Sequence, residues 1–401
     1  MKRMFTVAIA ASLFGAGLLA STAAMSGEIR IGVTLRMISE NGEKQGEMIK
    51  DEFAAINAAG GINGNTIKLT LLNDECKSDK GVANANRLVY QEQVHLLIGS
   101  SCSSVTLPIV AVTAQAETPQ IIPHSTSAAI TQQNSEWVFR VPISSRFYKG
   151  VMAKYIGDKV GTKVAYVYVA DEASRAETLG LVGLMRDMYG VEPLFLEQSQ
   201  EKEIDFRANL LKIKDLNPDL IFIAGQAEAI ARFLVQSYEV GIPDTVARAG
   251  SSAVSNAPAA ILAGDAVKGV FFSAAYSDSD TRQIAKDFNE MVRSRYGISS
   301  VDHDFSQAWD LLQIVKQALG NADLQLTDDS LAADRIAIRD AIAGIQNYEG
   351  LASGPISFCA APTPQCRDGN RTPVLISYVK GGEDFEVQVL DRVTMPIDFG
   401  L

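Results

Sequence analysis

Apolar residues recur along this chain in two alternating rhythms. Short, almost continuous apolar runs at 28–34, 66–72, 94–98, 163–169, 220–224 and 270–274 predict β-strands. Between them lie longer segments with helical spacing, at 45–59, 80–92, 176–189, 206–214, 281–296 and 305–319. In the first of these, Ile49, Phe53 and Ile56 fall at i, i+4 and i+7, on one helical face. One more helix is expected from Ser104, with Pro108 close to its first turn, and another between Gly225 and Val240. Gly60-Gly61, Asn63-Gly64, Asn217-Pro218, Gly297 and Gly320 punctuate the series. The last part changes character: 374–379 and 385–390 flank Lys380-Gly381-Gly382-Glu383, a hairpin signal.

Strand–helix alternation implies parallel sheets covered by helices on both faces. A 401-residue chain supplies too many strands for one sheet, and the pattern restarts near residue 145. The expected fold class is therefore α/β, with two doubly wound, Rossmann-like lobes. In such sheets ligands sit beyond the carboxyl ends of the strands. That singles out the loops after Val33, Ile98, Ile122, Val169, Ala224 and Val246.

Lys2 and Arg3 precede an apolar run over 5–20, and small residues follow at Ser21, Thr22, Ala23 and Ala24. This is the pattern of a signal peptide, expected to span 1–24 and to be cleaved. The mature chain is expected in the oxidising periplasm. Four cysteines suit that space: Cys76, Cys102, Cys359 and Cys366. Three pairings are possible. Cys359 and Cys366 flank a short segment with two prolines that reads as a stapled loop, which leaves Cys76 with Cys102. No Cys-x-x-Cys occurs and the histidines (His95, His124, His303) are scattered, so no metal site is expected. A net charge of −11 with no basic stripe argues against nucleic acid.

The candidate chemistry lies in two loops. Gly99-Ser100-Ser101-Cys102-Ser103-Ser104 joins a buried strand to a helix, where free backbone N–H groups hold anions. Pro123-His124-Ser125-Thr126-Ser127 is built alike. Capping alone explains either loop. Two together, one tied by a disulfide, favour a carboxylate clamp that includes Ser103, Ser104, Ser125 and Thr126. Gly-x-Ser-x-Gly and Gly-x-x-x-x-Gly-Lys-Ser/Thr are absent, and no acid or nucleophile is placed beside His124. Neither an enzyme nor a bound cofactor is expected. Asp302-His303-Asp304 reads as a helix start. Tyr276 lies near a crossover, where it would line a cleft or belong to the core.

The run Ile56-Asn57-Ala58-Ala59-Gly60-Gly61-Ile62-Asn63-Gly64-Asn65 resembles the leucine/isoleucine/valine-type periplasmic binding proteins of ABC transporters. So do Asn73-Asp74-Glu75-Cys76 and Ile98-Gly99-Ser100-Ser101-Cys102-Ser103-Ser104. The resemblance implies two lobes joined by three crossovers, closing by a hinge on a small molecule. The lobes are expected at 28–143 plus 277–354 and at 144–276 plus 355–401. It also implies that Ser103 and Thr126 bind the ligand carboxylate and that the His124 carbonyl meets an ammonium. A membrane permease is the implied partner and a monomer the implied state. A ligand sensor that signals to a receptor is the alternative.

The departures from that pattern matter. Leu35-Arg36-Met37-Ile38-Ser39 replaces the usual Ser-Gly, Asn41 replaces an aromatic, and Gln226 replaces another. The acid that holds the ammonium falls at Ser251 or Ser252, and Glu172 is a candidate replacement. The expected ligand is a small carboxylate (an amino acid, an aromatic acid or a related compound), with Asn41, Gln226 and Ser252 meeting its remainder.

Overall fold

The computed structural model describes residues 27–200, 203–255, 257–298, 301–352, 354–396 and 398–399. The expected signal peptide lies outside these residues. One sheet has five parallel strands, β1 (Glu28–Leu35), β2 (Thr66–Asn73), β3 (Leu96–Gly99), β4 (Gln120–Ile122) and β5 (Val138–Arg140), in the order β2-β1-β3-β4-β5. Helices α1 (Glu40–Ala58), α2 (Ser78–Asn86) and α3 (Ser103–Gln115) connect the first four strands.

The second sheet has seven strands. It runs β14-β13-β10-β9-β8-β6-β7 from β6 (Val164–Val169), β7 (Phe195–Ser199), β8 (Leu220–Ala224), β9 (Ala247–Gly250), β10 (Phe271–Ala274), β13 (Val374–Lys380) and β14 (Glu386–Arg392). The small β11 (Tyr348–Glu349) and β12 (Pro355–Ile356) pair apart from it. The expected hairpin is the antiparallel β13–β14 pair. Helices α4 (Ser145–Tyr155), α5 (Glu172–Tyr189), α6 (Arg207–Leu216), α7 (Ala227–Glu239) and α8 (Ala257–Ala263) surround this sheet. Then α9 (Gln283–Tyr296), α10 (His303–Asn321) and α11 (Leu331–Ala343) return to the first.

The near-continuous apolar strands follow from cover on both faces. In β6, Ala165, Val167 and Val169 enter one core with Phe206 and Phe233. Their alternates Val164, Tyr166 and Tyr168 enter another with Phe147 and Leu181. Both faces are dry, so neither can be polar. Helix α1 starts at Glu40, five residues before the expected 45, because the Ser39 side chain accepts from Gly42 N–H and caps it. Pro108 lies inside α3, well past its first turn. Lacking an N–H, it leaves the Ser104 carbonyl to accept from Ser78 Oγ at 2.7 Å. Strand β9 begins after Val246, so the loop at its carboxyl end follows Gly250 and not Val246 as expected.

The chain passes between the sheets three times: after Arg140, after Ala274 and before Val374. Ile356 and Phe358 still pack in the first core, with Ile29, Phe305 and Phe139. We therefore propose that the third passage lies beyond Phe358, later than the expected boundary at 354.

Two buried carboxylates lock these passages together. Asp368 takes Arg140 on one oxygen and Arg146, 3.3 Å away, on the other. Arg140 also donates to the Ser127 carbonyl at 2.6 Å. Asp280 takes Arg282 and Arg392, the latter at 2.8 Å, and Arg282 reaches on to the carbonyls of Gly350 and Leu351. Removing one partner of a buried pair strands the rest, at about 3–5 kcal/mol. Asp368→Ala should destabilise the protein by that order in chemical denaturation, whereas breaking the exposed Arg207–Glu239 pair should barely register.

Asp310 is fully buried on α10 and accepts from Leu351 and Ala352 N–H at 2.7 and 2.8 Å. Burial, only partly offset by these bonds, pushes its carboxyl up to about 7. A carboxyl raised on folding holds its proton in the native state while the unfolded chain releases it. Stability from this group is therefore present at low pH and lost as pH rises from about 4 to about 7, by at most about 1.4 kcal/mol per unit. Denaturation across that range should show the wild type losing stability relative to Asp310→Asn as pH rises, with the difference level above 7.

Candidate functional site

Three loops converge at the carboxyl ends of β1, β2, β3 and β4, held by a buried polar network. The Asp74 carboxylate accepts from Ser100 Oγ (2.7 Å), Thr34 Oγ1 (3.1 Å) and Cys76 N–H (2.9 Å). Thr106 Oγ1 lies 2.7 Å from Ser125 Oγ, and Ser125 donates to the Ser100 carbonyl at 3.0 Å. Asp74, Ser100 and Thr106 are wholly buried. The Cys76–Cys102 disulfide closes the same corner with Cα atoms 5.6 Å apart, and Cys359–Cys366 is the second bridge. Gly99 is required there: at φ +142° a Cβ would stand 2.3 Å from the Thr34 carbonyl oxygen.

On this frame Ser103 is the first residue of α3, and its Oγ accepts from Ser127 N–H at 3.3 Å. One loop is thereby tied to the other. Thr126 is half-buried beside it, its hydroxyl without a hydrogen-bond partner among the described residues. Its carbonyl accepts from Ser145 N–H at 2.8 Å, where the chain enters the second lobe. Ser103, Thr126 and His124 are therefore brought together. Ser125 and Tyr276 are not part of this surface. The Ser125 hydroxyl is spent inside the network, bonded to Thr106 Oγ1 and to the Ser100 carbonyl. Tyr276 is core: its hydroxyl donates to Asn289 Oδ1 at 2.7 Å and its ring meets Phe288 edge-on. Ser104 is exposed. Asn41 is exposed and donates to Asp302 Oδ2 at 3.1 Å.

In the second lobe Gln226 is exposed at the N-cap of α7, and Ser252 is exposed beyond β9. No hydrogen bond among the described residues joins either to the first lobe. The Glu172 side chain lies outside the described residues. Glu177, one helical turn further, is the acid that meets Ser252: its carboxylate accepts from Ser252 N–H at 2.9 Å. Burial pushes this carboxyl up, against the Ser252 bonds and nearby Lys149. Glu177, Lys149, Tyr148 and Gly250 line a small recess of about 10 Å³, room for roughly one water. The spacing held a signal for it, since Glu177 and Leu181 are i, i+4 on one face and Leu181 is buried.

The cleft's charged edge on the first lobe was read from the sequence only as a helix start. Asp302 does cap α10, accepting from Asp304 and Phe305 N–H. Asp304 also stands 3.6 Å from His124 Nδ1. Burial raises Asp304, but His124, His303 and Arg36 outweigh it and hold the carboxyl low. Burial likewise holds the His124 imidazole below its usual range. Gln307, one turn along α10, completes this cluster at 3.5 Å from His124. Among the described residues no group of His, Cys, Asp and Glu is arranged to hold a metal ion, and no helix is long and apolar enough to cross a membrane.

The family described as periplasmic binding protein matches residues 28–366. An amino acid binding protein of Pseudomonas aeruginosa is 32% identical over 192 residues, which is 47% of this chain and 50% of that protein. The match thus spans about half the length of that relative. The branched-chain amino acid transporter substrate binding protein LivJ of Streptococcus pneumoniae, in complex with isoleucine, shares the fold with a TM-score of 0.69 at 21% identity, over 91% of this chain and 100% of its own. A solute binding protein of an ABC transporter from Rhodopseudomonas palustris BisB5, in complex with 3,4-dihydroxybenzoic acid, does so at 0.68 and 19%, over 92% and 97%.

The loop network yields a prediction that needs no ligand contact. Thr106→Val keeps the side-chain volume but leaves Ser125 and the Ser100 loop short of a partner. Denaturation should show a loss of about 1–3 kcal/mol. An unchanged stability would mean that the loops are held by other contacts.

Proposed function

Since the chain belongs to the periplasmic binding protein family, we propose that it is the substrate-binding component of an ABC importer. In this reading it collects a small carboxylate in the periplasm, closes its two lobes over it and presents it to a membrane permease. The observation that carries the reading is the pair of hydroxyl-bearing loops at the start of α3, braced by the Asp74 network and joined through Ser103 and Ser127. An anion placed there meets Ser103, Thr126 and the unpaired N–H groups of the helix, with no formal cation required. The ligands in the two related crystal structures support the chemistry: isoleucine and 3,4-dihydroxybenzoic acid share a carboxylate and little else.

The opposite lobe supplies Ser252, Gln226 and Glu177. Glu177 would offset a cationic group on the ligand, the part the sequence left to Glu172. Closure brings this surface onto the first lobe, and the three passages with their buried ion pairs are the natural hinge. Loss of one hydrogen bond to a charged group removes about 1.5–3 kcal/mol. Ser103→Ala and Thr126→Ala should therefore each weaken binding of a carboxylate ligand by roughly 10- to 100-fold in calorimetric titration. Unchanged affinity in both variants would remove the carboxylate clamp.

A further inference from the structure

We propose that His124 and Gln307 form a polar reader at the floor of the cleft, which selects carboxylates bearing a hydroxyl or carboxamide over their hydrocarbon counterparts. This rests on the carboxylate reading of the cleft above.

Both side chains are more than nine-tenths buried, with His124 8% and Gln307 1% exposed. His124 Nδ1 faces two acceptors, Gln307 Oε1 at 3.5 Å and Asp304 Oδ1 at 3.6 Å. Asp304 is an anion, and burial keeps the imidazole neutral, so the single ring proton belongs on Nδ1. Nε2 is then a lone-pair acceptor, and it has no hydrogen-bond partner among the described residues. Gln307 Nε2 carries two donor hydrogens, of which the Tyr148 phenol takes at most one. The Tyr148 phenol lies against the Gln307 amide. Tyr148 belongs to α4 of the second lobe and lines the Glu177 recess, so the pair sits where the lobes meet.

A buried polar group left unpaired costs about 1–3 kcal/mol. A ligand with a hydrocarbon end leaves both atoms in that state after closure. A hydroxyl or carboxamide donates to His124 Nε2 and accepts from Gln307 Nε2. The site therefore discriminates by what it would leave unsatisfied, which separates isosteres better than shape does.

Matched pairs test this: threonine against valine, and 4-hydroxybenzoate against 4-methylbenzoate, titrated by calorimetry into the mature protein. The expected result is that the hydroxyl member of at least one pair binds tenfold or more tighter than its methyl partner. Gln307→Met should shrink that ratio to below threefold. Equal or tighter binding of both methyl members to the wild type, with Ser103→Ala weakening them, would overturn the reader and spare the carboxylate clamp. Retention of the full ratio in Gln307→Met would do the same. Should no member of either pair bind at millimolar concentration, the carboxylate reading falls and this proposal with it. The wild-type ratio decides the matter even where the variant fails to fold.

Discussion

The Asp74 carboxylate, shut away from water, is the point from which the binding loops are organised. It accepts from the loop after β3, from the end of β1 and from its own turn. Through Ser100 and Thr106 the same network reaches the loop after β4. A buried carboxylate is tolerable only with its lone pairs filled, so each of those loops has one acceptable position. The disulfide adds a covalent limit at the same corner. The half-buried Ser103 and Thr126 thereby stand on a braced base.

The second constraint lies where the chain changes lobes. Asp368 and Asp280 each sit between two arginines drawn from different stretches of the chain. Their value is geometric more than energetic, because a buried ion pair adds little net stability while a broken one is costly. Such contacts fix the passages to one another.

Much of this was legible in the chain. The long apolar runs named β1, β6 and β8 because strands buried on both faces have no polar alternation to confuse them, while β2 at the sheet edge alternates polar and apolar residues. Short β4 and β5, three residues each, carry too little pattern to stand out, and β7 alternates at a half-covered edge. Ser103 and Thr126 were readable as candidates because a strand–serine–helix junction is local. Glu177, Tyr148 and Gln307 were not, since each acts only through packing against a distant segment. Tyr276 and Ser125 show the converse: residue types suited to a site, turned inward by contacts with Asn289 and Thr106 that no spacing reveals.

The central claim is that a small carboxylate rests on the start of α3 between two lobes. A crystal structure of the protein with the ligand it carries through native purification tests this most directly. The account predicts carboxylate oxygens within hydrogen-bond distance of Ser103 and Thr126, with residues of both lobes around the ligand. A ligand bound on one lobe alone, or one that turns its carboxylate away from these two hydroxyls, would contradict it.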